Sequence, residues 1–212
     1  MHFHDRLDAA RQLARALERY RGDHPLVLAI PRGAVPMGRE IAERLGGDFD
    51  VVLVRKVGAP GNPEFALGAV DETGWTYVSD YAREMSLDPG WIGSESARQL
   101  ETLKRRRALY SPGREPIDPQ GRVCIVVDDG LATGATMIAA LHSVRARKPA
   151  RLVCAVPVAS RESVEHVRRL ADDVVCLDTP RDFYAVGQFY ADFRAVEDDE
   201  VMRVLSEERT TR

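Results

Sequence analysis

Five short apolar runs rich in β-branched residues, most of them followed by a helical pattern, leave this 212-residue chain few ways to fold. Leu26–Ile30, Phe49–Lys56, Arg122–Val127, Arg151–Val158 and Asp173–Asp178 read as strands. Pro36–Leu45, Pro89–Tyr110, Gly134–Arg147 and Arg161–Leu170 read as helices, with Asp88 and Pro89 as cap and first-turn residue of the longest. Strands that are apolar on both faces need cover on both sides. The expectation is therefore an α/β fold with a mainly parallel, doubly wound sheet. Residues 1–212 read as one domain, with a core over about 26–178 and a small C-terminal hood and helix over 179–212. Ligands of such sheets sit beyond the carboxyl ends of the strands, which singles out the loops after Ile30, Val54 and Val127.

The chemistry is richest after Val127, in "VCIVVDDGLATGATMIAAL". Two adjacent acids, Asp128 and Asp129, end a buried strand. The small residues Gly130, Ala132, Gly134 and Ala135 then let the backbone curl closely around a ligand. Thr133 and Thr136 add hydroxyls, and the helix that follows brings backbone N–H groups and its positive dipole end to the same place, so the loop is built to cradle phosphate. No Gly-Lys-Ser/Thr follows, which excludes the Walker pattern. Asp and Gly also suit a plain strand-ending turn, but that reading leaves the strand, acid pair, small-residue loop and helix start unconnected. Asp-x-Asp phosphatases place their acids differently. A receiver domain, with Asp178 as its phosphoacceptor, would need more chain after that residue than remains.

Composition narrows the partners. A formal charge of −3 offers no overall basic field for nucleic acid or an anionic membrane. No apolar run reaches the roughly 18 residues of a membrane span. The start, "MHFHDRLDAARQLARALERY", reads as an amphipathic helix rather than a signal peptide, so a cytoplasmic setting is expected. His2 and His4 have no further ligands nearby to make a metal site. Cys124, Cys154 and Cys176 lie in strand-like runs without CxxC spacing and read as reduced core residues.

On these residues the chain resembles the type I phosphoribosyltransferases, a Rossmann-related family: "IVVDDGLATGAT" is similar to their motif for 5-phosphoribosyl 1-diphosphate (PRPP). The resemblance implies that Asp128 and Asp129 meet the ribose hydroxyls, and that Ala132, Thr133, Gly134, Ala135 and Thr136 hold the 5-phosphate. It also implies Mg2+ as cofactor and a homodimer. "PRGA" after the first strand resembles the short pyrophosphate loop, with Arg32 and Gly33 as its binding residues and Ala34 where a second Gly is expected. Arg55 and Lys56, followed by "VGAPGNPEFALGAV", resemble the cations and flexible loop that close over the leaving group, with Lys56 joining the acids as a catalytic residue and Glu64 as a proton-transfer candidate. In "TPRDFYAVGQFYADF" the resemblance places a hood, with Phe183 and Tyr184 stacking on a base and Asp192 contributing to metal binding. Lys104–Arg107 reads as the solvated face of the long helix.

The expected activity is transfer of the phosphoribosyl group from PRPP to a nitrogen nucleophile, most simply a nucleobase, with release of pyrophosphate. A PRPP- or nucleotide-sensing protein on the same fold is the alternative. The Arg55–Lys56 pair favours the enzyme, because a sensor needs the cradle but no cations over a leaving group. Ala132 stands where enzymes for 6-oxopurines place an Asp, and the acceptor is otherwise not specified.

Overall fold

A computed structural model describes residues 2–79, 82–83, 89–113 and 115–207, the side chains of residues 62–66 and 89 apart. Asp88 and the Glu64 side chain lie outside the described residues. The main sheet has five parallel strands: β1 (Leu26–Ala29), β2 (Asp48–Val51), β6 (Val123–Val127), β7 (Arg151–Val158) and β8 (Asp173–Asp178), in the order β2-β1-β6-β7-β8. A smaller antiparallel sheet is formed by β3 (Val54–Ala59), β4 (Asn62–Asp71) and β5 (Thr76–Val78).

The period-2 projection of strand side chains divides the core into two layers. Val27, Ala29, Ile125, Val127, Val153 and Ala155 pack under α1 (Arg6–Ala16) and α2 (Val35–Leu45). Leu28, Cys124, Val126, Leu152, Cys154 and Val156 face the opposite layer, against Met137, Ala140, Leu141 and Val144 of α4 (Ala135–Ala146) and Val164 and Val167 of α5 (Arg161–Val167). Two further α-helices are α3 (Pro89–Tyr110) and α6 (Asp198–Glu207). Local chemistry sets the helix ends: Asp5 caps α1 by accepting from the Asp8 N–H at 2.8 Å, Ser160 caps α5 from Ser163 at 3.2 Å, and Pro36 opens α2. All three thiols are free, and burial pushes Cys124 up to about 12 and Cys176 up to about 11.

Two sequence expectations are revised. The run Phe49–Lys56 is two strands, because the chain leaves the main sheet at Val52–Leu53 and re-enters structure as β3 of the small sheet. The Gly- and Pro-rich stretch after Lys56 is mostly strand: β3 and β4 pair from Val54↔Asp71 to Ala59↔Asn62 around a turn at Pro60–Gly61, with register shifts near Gly58. Main-chain pairing supplies there what apolar side chains do not.

The order of the main sheet positions the site. The chain moves from β1 through α2 to β2 on one side, and from β6 through α4 to β7 on the other. The crevice between β1 and β6 is thus the switch point where open α/β sheets bind ligands. Ala29 is in register with Val127, so the loops after both strands start at the same level.

Candidate active site

The loop after β1 and the loop after β6 touch. A Cβ added to Gly33 would lie 2.1 Å from Asp129 Oδ2 and 3.3 Å from Arg6 Nε, so any side chain there would force the carboxylate or the loop to shift. The Pro31–Arg32 peptide is cis, and Ala34 is fully buried as it leads into α2. Arg32 reaches the other way: its Nη1 lies 3.1 Å from Glu197 Oε2 and 3.9 Å from Asp198 Oδ1, at the start of α6. Tyr110 also donates to Asp198 Oδ1, at 2.5 Å, and burial with that bond pushes its phenol up to about 12.

Beyond β6, Asp128 Oδ1 accepts from the Asp129 N–H at 2.9 Å, which turns the chain sharply. Burial raises the pKa of both carboxyls. Asp128 is pushed well above the usual carboxylate range, first by desolvation and then by the charge of Asp129. For Asp129, Arg6 opposes the same desolvation. Gly134 then takes φ 72°, the left-handed region, and its carbonyl accepts from Ile138 as α4 begins. The Ala132 carbonyl is held by the hydroxyls of Ser160 at 3.0 Å and Ser163 at 2.6 Å. The exposed Ala132–Thr133 segment leads through Gly134 into the first turn of α4, whose first N–H groups have no partner within the helix. An anion with three or four oxygens suits that cradle.

The predicted residues are only partly gathered. Arg32 and Gly33 adjoin the acid pair through Gly33, and the loop 132–136 continues from it. Arg55 faces α3, where burial, then Arg106 and Arg98, lower its pKa. Lys56, the next residue along the strand, projects to the opposite face. Phe183 packs inward on Phe189, with ring centroids 5.3 Å apart, while Tyr184 is 87% exposed. Gln188 shapes that turn by accepting from the N–H groups of Tyr184 and Ala185 and donating to the Asp182 carbonyl. Asp192 is paired with Arg194 at 3.0 Å, and among the described residues no group of three His, Cys, Asp or Glu is arranged to hold a metal.

Sequence reasoning missed the residues that reach the site from the chain ends. Phe3 pairs with the segment at Tyr190: its N–H donates to Phe189 O at 2.7 Å and its carbonyl accepts from Ala191 at 2.9 Å. This ties the N-terminus to the hood and aims Arg6 at Asp129. Tyr190 donates to the Asp129 carbonyl at 2.7 Å. In sequence these residues look like any other members of an amphipathic helix and an aromatic-rich tail.

Comparison with known proteins agrees with this layout. TT1426 from Thermus thermophilus, a solved structure, superposes with a TM-score of 0.90 at 49% identity, over 98% of this chain and 99% of that one. Two Mycobacterium tuberculosis proteins, "Putative phosphoribosyl transferase Rv0571c" and "Putative phosphoribosyl transferase MT0597", are each 43% identical over 204 residues. That alignment takes in 96% of this chain but 46% of theirs, so the chain spans less than half the length of those relatives. The phosphoribosyl transferase domain matches residues 3–194, from the N-terminal segment through both site loops to the hood, and the chain belongs to that family.

Proposed function

We propose that the protein is an enzyme that transfers the 5-phosphoribosyl group of PRPP to a nitrogen nucleophile, a nucleobase or a small amine, and releases pyrophosphate. The observation that carries this reading is the abutment of Gly33 and Asp129 at the switch point. It brings an arginine-bearing loop against an acid pair that leads into a small-residue cradle, and the reading assigns these three to diphosphate, ribose and 5-phosphate. In this reading the nitrogen–C1 bond forms as the C1–oxygen bond breaks, the electron pair leaves with pyrophosphate, and the proton displaced from the acceptor nitrogen passes to solvent. Mg2+, bound with PRPP, would neutralise the diphosphate and make it a better leaving group. Arg32, with Lys56, would add positive charge on the leaving-group side, whereas Arg55 faces α3. The carboxylates would steady the charge that develops at C1, and Tyr184 is the exposed aromatic that would stack on a base. Positioning does most of the work, because little covalent chemistry is asked of the protein.

The deciding experiment measures pyrophosphate release from PRPP with Mg2+ across a panel of purines, pyrimidines and small amines. Acceptor-dependent release, lost in Asp128→Asn/Asp129→Asn, is the expected result. If that double variant binds PRPP as the parent does, the acid pair is not the ribose site. A parent that binds PRPP tightly but releases nothing with any acceptor would favour the sensing reading.

The pair between Arg32 and Glu197 makes a smaller prediction. Both are solvent-exposed, at 41% and 70%, so the pair is worth little, yet it competes with any diphosphate for the same guanidinium. Glu197→Gln should tighten pyrophosphate binding about threefold by calorimetry. Weaker binding in the variant would mean that Glu197 orients Arg32 rather than competing for it.

A further inference from the structure

The basic run of α3 holds one arginine that neither the core nor the surface accounts for. Arg107 is buried on carboxylates, and Lys104 and Arg105 are exposed, but Arg106 is half-buried. Leu103 and Tyr110, three residues before it and four after, share its side of the helix. That side packs on β3, where Val57 joins Leu103 and Tyr110 in the core. Arg55 lies two residues from Val57, projects to the same face of β3, and is also half-buried. Two guanidiniums thus stand at the rim of one apolar layer, each contributed by a different element.

Among the described residues, neither Arg55 nor Arg106 makes a hydrogen bond or an ion pair. Glu95, whose charge favours Arg55, is already gripped by Arg98 at 2.8 and 2.6 Å and by Gln99 at 2.6 Å. Burial, then the charges of Arg106 and Arg98, lower the pKa of Arg55. Like charges kept together while partly desolvated cost stability, and an oxyanion between them reverses the sign of the interaction. The place adjoins the crevice. Tyr110 donates to Asp198 Oδ1, the carboxylate oxygen that Arg32 Nη1 approaches at 3.9 Å, and both Arg32 and Arg106 act on that phenol.

We propose that Arg55 and Arg106 form a two-guanidinium seat for a phosphate group, beside Arg32 but built by β3 and α3. Planar forks suit phosphate oxygens better than single ammonium charges do. The ligand is a phosphate-bearing anion. It has two sources: the outer phosphate of the donor's diphosphate, which rests on the PRPP reading above, or a separate effector. The seat itself depends on neither.

Three readouts on the intact protein test this. In 15N NMR of the guanidinium Nε signals, inorganic phosphate and pyrophosphate should each shift Arg55 and Arg106 and leave Arg105 in place. Unmoved Arg55 and Arg106 signals overturn the seat. By calorimetry, Arg106→Gln should weaken pyrophosphate binding about tenfold, Arg106→Lys less, and Arg105→Gln less than about twofold. An equal loss in Arg105→Gln would mean general attraction to a basic helix and would also overturn it. In phosphate-free buffer, Arg106→Gln should raise the melting temperature by about 1–2 °C, because a like charge is removed. A lower melting temperature would show that the fold itself holds the Arg106 guanidinium, against the proposal. If that variant does not fold, the NMR titration of the parent decides.

Repeating the titration with PRPP separates the sources. PRPP that moves the Arg106 signal and blocks pyrophosphate there makes the seat part of the donor site. Phosphate that still moves the signal with PRPP bound makes it an effector site. Phosphate binding at the seat with no PRPP binding anywhere refutes the PRPP reading and leaves the seat standing.

Discussion

Replacing Arg107 with Met lowers the free energy of unfolding by about 3–5 kcal/mol, measured by urea denaturation. Arg107 lies in the last turn of α3 and is buried. Its Nε and Nη2 grip Glu72 at 2.5 and 2.6 Å, Nη1 reaches Asp50 at 2.9 Å, and Nη2 also donates to the Val51 carbonyl at 2.9 Å. Burial opposes the charge, but these bonds outweigh it and raise its pKa above the usual arginine range. Methionine keeps the apolar stem and leaves two carboxylates, 1% and 9% exposed, without their cation. Removing one partner of such a cluster costs far more than the cluster contributes as a whole. The effect reaches the site as well, since this network pins α3 and the end of β4 to β2, and Asp71 in the same region is held by Ser143 of α4 at 2.7 Å. A loss below about 1 kcal/mol would mean that water takes over the role of the guanidinium.

Gly33→Ala lowers kcat/KM for acceptor-dependent pyrophosphate release about 100-fold, the scale set by displacing a positioned group by about 1 Å. The new methyl would meet Asp129 Oδ2 at 2.1 Å and Arg6 Nε at 3.3 Å. Because those two groups hold each other, neither retreats cheaply, and the strain falls on the crevice. The stability loss should stay within about 1–3 kcal/mol, the usual range for overpacking, so a thermal melt separates a damaged site from a damaged fold. Parent-like turnover would show that the loop moves aside and that its contact with Asp129 is not part of the working geometry.

Much of the architecture was legible. Arg151–Val158, Asp173–Asp178 and Pro89–Tyr110 have the same bounds in the structure as the sequence predicts, β1, β6 and α2 differ by one residue at one end, and α4 is one residue shorter at each end. The helix read as Arg161–Leu170 ends three residues earlier, at Val167. The matching elements carry strong local signals: apolar runs, a proline in a first turn, a small-residue loop after a buried strand. Phe49–Lys56 failed as one strand for the opposite reason. Its apolar character continues through Val52 and Leu53, and nothing local marks where a chain changes sheets. The stretch after Lys56 failed because glycine, proline and asparagine describe a loop as well as a hairpin.

The charged residues divide along the same line. "LKRRRALY" looks like one solvated face, and Lys104 and Arg105 are exposed, yet Arg107 is buried on carboxylates 35 and 57 residues away. Arg6 meets Asp129 across 123 residues. The sequence by itself determined the strands, most of the helices, and the acid pair, small residues and cations of the loops, because periodicity and turn chemistry act between near neighbours. Only the tertiary structure decided which arginine meets which carboxylate. Coulombic and desolvation energies depend on distance and burial in space, and the order of residues along a chain encodes neither.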